Sequence, residues 1–138
     1  MTDKEKDAIA SLNSAALAYL GDTVWEREVR RRLVLSGSPR PSEEALAYVT
    51  AKAQSDALEK LLPLLSEEEE EIYRRGRNTV HANVPRAATV AQYRRATGLE
   101  ALFGWLDLRG EQDRIEELFN AAAARAEDTD AGGLSDDE

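Results

Sequence analysis

Apolar residues recur along this chain at three- and four-residue intervals, with no stretch of strict alternation. That spacing gathers side chains on one helical face and predicts an all-α protein. The longest such segment runs from residue 8 or 13 to residue 35. Within it Leu12, Ala16, Leu20 and Val24 form the expected apolar stripe, and Ala15 and Ala18 precede Asp22 on its own face. Gly21 stands mid-helix, where glycine costs roughly 1 kcal/mol relative to alanine, so a close packing contact is expected there. Residues 36–41 read as a loop by their Gly and Pro content. Ser42 is the expected N-cap of a second helix reaching about residue 62, with Glu43 and Glu44 in its first turn. Ser66 and Glu69 form a capping-box pattern that opens a third helix ending near Arg77. The glutamates at 67–71 read as a solvated, acidic first turn.

Residues 78–88 read as a loop. Two helices are expected next, over 89–96 and 97–108, with Gly110 as the C′ residue of the second. A last helix spans 111 to about 125 through Ile115, Leu118 and Phe119. Residues 1–7 are polar and expected to fray. Residues 127–138 are acidic and Gly-containing and are expected to be disordered. The expected organisation is one domain over 8–126 between two polar ends.

Composition narrows the chemistry. The chain has 138 residues, 42 % of them apolar, enough for one domain with a real core. It has no cysteine, which excludes disulfides, thiolate metal sites and cysteine nucleophiles. Its one histidine, His81, rules out a His-rich zinc site. Carboxylates are then the expected chemical groups, and with water they suit hard cations such as Mg²⁺ or Mn²⁺. No apolar run approaches the ~20 residues of a membrane span, and no secretory leader is visible behind MTDKEKDA. A cytoplasmic location is the expectation. Net charge is −9, but six acids lie in 127–138, leaving 21 acids against 18 bases before them. From Arg74 to Arg95 there are six arginines and no acid, so the local charge says more about a partner than the total does.

A second helix repeats the arrangement around Asp22. Leu99, Leu102, Phe103 and Leu106 make a core stripe, while Glu100 lies among Ala96, Thr97 and Gly104. If the two helices pack, Asp22 and Glu100 share one polar pocket. Two carboxylates in one pocket repel unless one is protonated or a cation bridges them. One reading is a divalent-metal site for phosphodiester hydrolysis. The other is two partly exposed acids, each paired with an arginine among Arg27, Arg30, Arg31 and Arg32.

At these residues the chain resembles a family. LAYLGDTVWEREVRRRL is similar to the signature helix of ribonuclease III, and TGLEALFGWLDLRG to its second catalytic segment. VTAKAQSDAL, EEEEEIYRRGRN and VPRAATVAQYRRATGLEAL, in that order, resemble the short bacterial branch, Mini-ribonuclease III, which lacks a separate double-stranded-RNA-binding domain. The likeness covers about residues 12–122. It implies an all-α, ribonuclease III-like homodimer that cuts double-stranded RNA with Mg²⁺, in maturation of a 23S ribosomal RNA precursor stem. It leaves room for a ribosomal protein as partner. Asp22 and Glu100 fall on the catalytic acids and would bind the metal and orient the attacking water. Full-length ribonuclease III carries further acids where this chain has Ala15, Ala18 and Thr97, so water and RNA phosphate would complete the coordination. The short branch shows the same thinning.

A catalytic domain without a separate RNA-binding domain must hold the duplex itself, mainly through phosphates and groove shape. Arg75, Arg77, Asn78, His81 and Arg86 are the first candidates, then Arg94 and Arg95. A solvated basic face balancing the acids at 67–71 is the alternative. Lys52 and Gln54 are candidates for RNA contact, for the dimer interface, or for a plain exposed helix. His81 is read as a hydrogen-bond donor rather than a general base. Glu26 is expected to pair with Arg30. Trp25, Phe103 and Trp105 are read as core or interface residues. A catalytically silent module that binds structured RNA is the alternative function, and a helical dimer with no RNA role a third.

Overall fold

The computed structural model describes residues 1–79, 84 and 86–124, and every regular element among them is helical. His81 and the acidic segment 127–138 lie outside the described residues. In order the helices are α1 Asp3–Ala10, α2 Ser14–Leu35, α3 Pro41–Glu44, α4 Leu46–Val49, α5 Ala51–Leu61, α6 Glu67–Arg77, α7 Val90–Leu108 and α8 Gln112–Ala123. A 3₁₀ turn at Leu62–Leu64 accommodates Pro63 between α5 and α6.

The central element is α7. It is buried nearly all round and packs against α2, α5, α6 and α8, as expected of a helix apolar on every side. Its contact with α2 is backbone against backbone. A Cβ on Gly21 would stand 1.6 Å from the Glu100 carbonyl oxygen, and one on Gly104 would stand 2.0 Å from the Leu17 carbonyl oxygen. The packing contact expected at Gly21 is therefore present. On the other side of α7, a Cβ on Gly98 would come 2.6 Å from the Tyr73 ring of α6. Around these crossings Trp25 meets Phe103 and Phe119 edge-on at 5.2 and 5.0 Å, and its indole N–H donates to the Tyr48 carbonyl at 2.9 Å. Trp25, Phe103 and Trp105 are all core residues.

Several boundaries differ from the sequence reading. Residues 3–10 form a helix capped by Thr2, with Ile9 against the core, where a frayed end is expected. The second helix is three pieces. Pro41 occupies the first turn of α3, where its missing N–H costs nothing, so Ser42 is not the cap. Thr50 adopts extended dihedrals and its side chain accepts the Ala53 N–H, which ends α4 and starts α5. The two helices expected over 89–108 are one: a capping box of Thr89 and Gln92 starts it, and Thr97 donates to the Tyr93 carbonyl at 3.0 Å without breaking it. The buried face of α2 is centred on Leu17, Gly21 and Val24. Of the expected stripe only Val24 is fully buried; Leu12 and Ala16 face outward.

The acids at 67–71 are mostly exposed, with one exception. Glu69 is 6 % exposed and takes a two-pronged contact from Arg114 at 2.8 and 2.7 Å, while Arg114 also donates to the Leu64 carbonyl at 2.8 Å. Burial alone would raise the Glu69 pKa, but hydrogen bonds from Arg114 and Ser66 lower it below the usual carboxylate value. The pair ties α6 to α8. Gly37 and Gly110 have φ of 73° and 72° and close α2 and α7 in Schellman turns, with Ser38 N–H to Leu33 O and Glu111 N–H to Leu106 O, both 3.0 Å.

The Gly104→Ala substitution is expected to cost about 3 kcal/mol in urea denaturation, since its Cβ must displace a backbone carbonyl. Gly110→Ala, with open space around it, is expected to cost only the left-handed strain, about 1–2 kcal/mol. Equal losses would refute the close crossing.

Candidate active site

The glycine contact sets the site. With no side chain at position 21, α2 seats directly on the Glu100 carbonyl, and the next residue, Asp22, is carried to the edge of the crossing. Asp22 is exposed and Glu100 is half-buried. Their carboxyl groups lie within hydrogen-bonding reach of each other. A third group enters from α5: the Gln54 amide donates to Glu100 Oε2 at 3.5 Å. Burial first, then the neighbouring Asp22 charge and hydrogen bond, push the Glu100 pKa up to about 8; the Gln54 contact acts in the opposite direction.

No lysine or arginine neutralises the pair among the described residues. Arg27 pairs with Glu28 at 3.3 Å and Asp107 at 3.6 Å, and Arg30 pairs with Glu26 at 2.9 Å, the i,i+4 bridge expected from the sequence. The arginine-paired reading of Asp22 and Glu100 therefore fails. Ala15, Ala18 and Thr97 bring no carboxylate, and among the described residues no cluster of three acidic or imidazole ligands forms. Two apposed carboxyls, the inner one with its pKa raised by burial and by the other, and a neutral amide remain. This donor set fits one hard divalent cation with water filling its other positions.

The candidate RNA contacts separate into two groups. Arg75 donates to the Ala10 and Leu12 carbonyls at 2.8 and 3.1 Å. These contacts hold the α1–α2 corner and give Arg75 a structural role. Arg95 is turned inward to Glu59 and the Ser55 carbonyl. Gln54 is 3 % exposed, so neither RNA nor a second subunit reaches it as an exposed helix residue would. Its register gives the signal: position 54 shares a face with the buried Ala57, Leu58 and Leu61. Arg86, Arg94 and Lys52 are exposed, Lys52 in a 3.1 Å pair with Asp56. Arg77 donates to Asn78 Oδ1 at 3.1 Å and lies over the Tyr73 ring.

A family model described as the ribonuclease III domain matches residues 15–111. Mini-ribonuclease 3 of Symbiobacterium thermophilum is 43 % identical over 116 residues, covering 82 % of this chain and 89 % of that protein. Mini-ribonuclease 3 of Synechococcus is 47 % identical over 114 residues, 81 % of each chain. A crystal structure of a Fusobacterium nucleatum protein matches with a TM-score of 0.72 at 34 % identity, over 80 % of this chain and 90 % of that one.

The raised Glu100 pKa has a consequence for stability. Folded Glu100 keeps its proton to about pH 8, whereas the unfolded chain loses it near the ordinary value of 4.5. The stabilisation is complete below pH 4.5 and is lost as pH rises through 8, by at most about 1.4 kcal/mol per pH unit. Without added metal, thermal melting of wild type is expected to fall relative to Glu100→Gln between pH 5 and 8. Parallel curves for the two proteins would show that Glu100 is not held protonated.

Proposed function

This chain belongs to the ribonuclease III family and is an endoribonuclease, and we propose that it cuts double-stranded RNA at the Asp22–Glu100 pair. The observation that carries this is the apposition of two carboxyls, with no cationic side chain paired to them among the described residues, at the crossing of α2 and α7. A structural role alone gives no reason to keep two acids in such contact, because removing one would relieve the repulsion.

Asp22 and Glu100 would hold a divalent cation, Mg²⁺ or Mn²⁺, through one carboxylate each. When bound, such a cation offsets the paired negative charges, polarises the phosphodiester and acidifies water. Asp22, the more exposed of the two, is placed to orient a water toward the phosphorus. Glu100, set in the buried α7, keeps the inner wall of the site fixed. Attack by water and departure of the 3′ oxygen leave 5′-phosphate and 3′-hydroxyl ends. Water and RNA phosphate complete the coordination in place of the acids absent at Ala15, Ala18 and Thr97.

Arg86 and Arg94, exposed and without an ion pair among the described residues, are the proposed phosphate contacts, with Arg77, Asn78 and His81 beside them in sequence. A second copy of the chain is the proposed partner of the outer face of α2. There Tyr19, Val34 and Leu35 are 86 %, 72 % and 82 % exposed, with Leu12 just before the helix at 41 %. Exposed apolar side chains of this size are candidates for burial against a partner. Two sites, one per protomer, would cut one strand each. Residues 8–126 are the proposed catalytic domain, and maturation of a 23S ribosomal RNA precursor is the proposed role.

With Mg²⁺ and a purified RNA duplex, wild type is expected to cleave. Asp22→Asn and Glu100→Gln should each slow cleavage by about 10²–10³-fold. Wild type that binds duplex but never cuts it would establish the silent RNA-binding module instead. Separately, Arg86→Ala and Arg94→Ala should weaken duplex binding and each reduce the salt slope by about 1. Arg75→Ala should lower the melting temperature and leave that slope unchanged. A reduced slope in Arg75→Ala would return that residue to the RNA surface.

A further inference from the structure

Gln54 has no packing rationale of its own. Its position on α5 faces the core between apolar neighbours, and a buried amide is costly there unless it is hydrogen-bonded. Leucine or methionine would fill the same register. Of the other buried polar side chains, Ser55, Glu69 and Thr97, the two larger ones have structural partners, Arg114 and the Tyr93 carbonyl. The Gln54 side chain instead crosses to α7 and meets the Glu100 carboxyl, with Nε2 3.5 Å from Oε2. At 3.5 Å that contact stands at the long end of hydrogen-bonding range. An amide also offers a donor at this point without adding a third negative charge.

We propose that Gln54 is a positioning residue for the carboxyl pair: its amide grips Oε2 of Glu100 and fixes the orientation in which Glu100 faces Asp22, so that a divalent cation finds both ligands already placed. The inference rests on the reading of Asp22 and Glu100 as cation ligands. Gln54 touches neither the ion nor the RNA in this arrangement; it acts through Glu100. Groups that orient metal ligands in this way affect affinity about 10–100-fold in other proteins.

The experiment is Mn²⁺ titration of the full chain, followed by electron paramagnetic resonance at fixed pH without RNA. Gln54→Leu is expected to weaken Mn²⁺ binding about tenfold or more, with a melting temperature equal to or above wild type. Gln54→Glu, which sets a third carboxylate against Glu100, is expected to tighten Mn²⁺ binding and lower metal-free stability. In cleavage assays Gln54→Leu should reduce kcat while KM for the duplex stays near wild type. A folded Gln54→Leu with wild-type Mn²⁺ affinity overturns the proposal. Should that variant fail to fold, unchanged Mn²⁺ affinity in Gln54→Glu overturns it equally. Asp22→Asn is the control. If Asp22→Asn loses Mn²⁺ and Gln54→Leu does not, the role of Gln54 alone is refuted. If all bind as wild type does, the cation site is refuted with it.

Discussion

At the crossing of α2 and α7 two peptide backbones touch, with Gly21 against the Glu100 carbonyl and Gly104 against the Leu17 carbonyl. Helices whose contacting residues carry side chains stand 8–10 Å apart. Removing the side chain from both helices at the contact brings the axes in until main chain limits the approach. Everything specific to this site follows from that approach. Asp22 and Glu100 project beside the contact and so are forced together. The apolar flanks of the same helices, Trp25, Phe103 and Leu106 among them, supply the burial that holds the crossing closed.

Proximity has an electrostatic cost. One carboxyl of the pair is half-buried and the other carries a nearby negative charge, so the inner one holds its proton well into the neutral range. The arginines of α2 do not relieve this, because helical register turns Arg27 and Arg30 toward other acids. Elsewhere the fold manages buried charge differently. Glu69 is also drawn out of water but has Arg114 for a partner, and its pKa is lowered. Two glutamates thus shift in opposite directions, Glu69 with a guanidinium in contact and Glu100 with burial and a second carboxyl against it.

The helical class, the close contact at Gly21 and the pairing of Asp22 with Glu100 were all legible in the sequence. Each depends on residue type at a helical spacing, which is a local property. The capping boxes at Ser66 and Thr89 show how far that legibility goes: the first marks a helix start correctly, while the second extends a helix through Thr97-Gly98, where composition suggests a new beginning. What was not legible depends on distant partners. Arg75 reads as a surface arginine until the α1–α2 corner presents two carbonyls to it. Arg95 is claimed by Glu59 across a helix interface. Leu12 falls before the Asn13 cap, outside the helix, and Ala16 follows the helical period but on the exposed side, since the face that packs is the one of Leu17, Gly21 and Val24.

The continuity of α7 also makes it a ruler. Ten residues separate Val90 from Glu100, a run of about 15 Å at the helical rise. No hinge interrupts it, and its middle is clamped between α2 and α6. Arg94, exposed near its start, and Glu100 at its centre are six residues apart, about 9 Å along the axis, and keep that separation. A phosphate held at Arg94, as proposed above, would be registered by length alone against the phosphodiester over the carboxyl pair. Two short helices joined at Thr97 would have measured nothing.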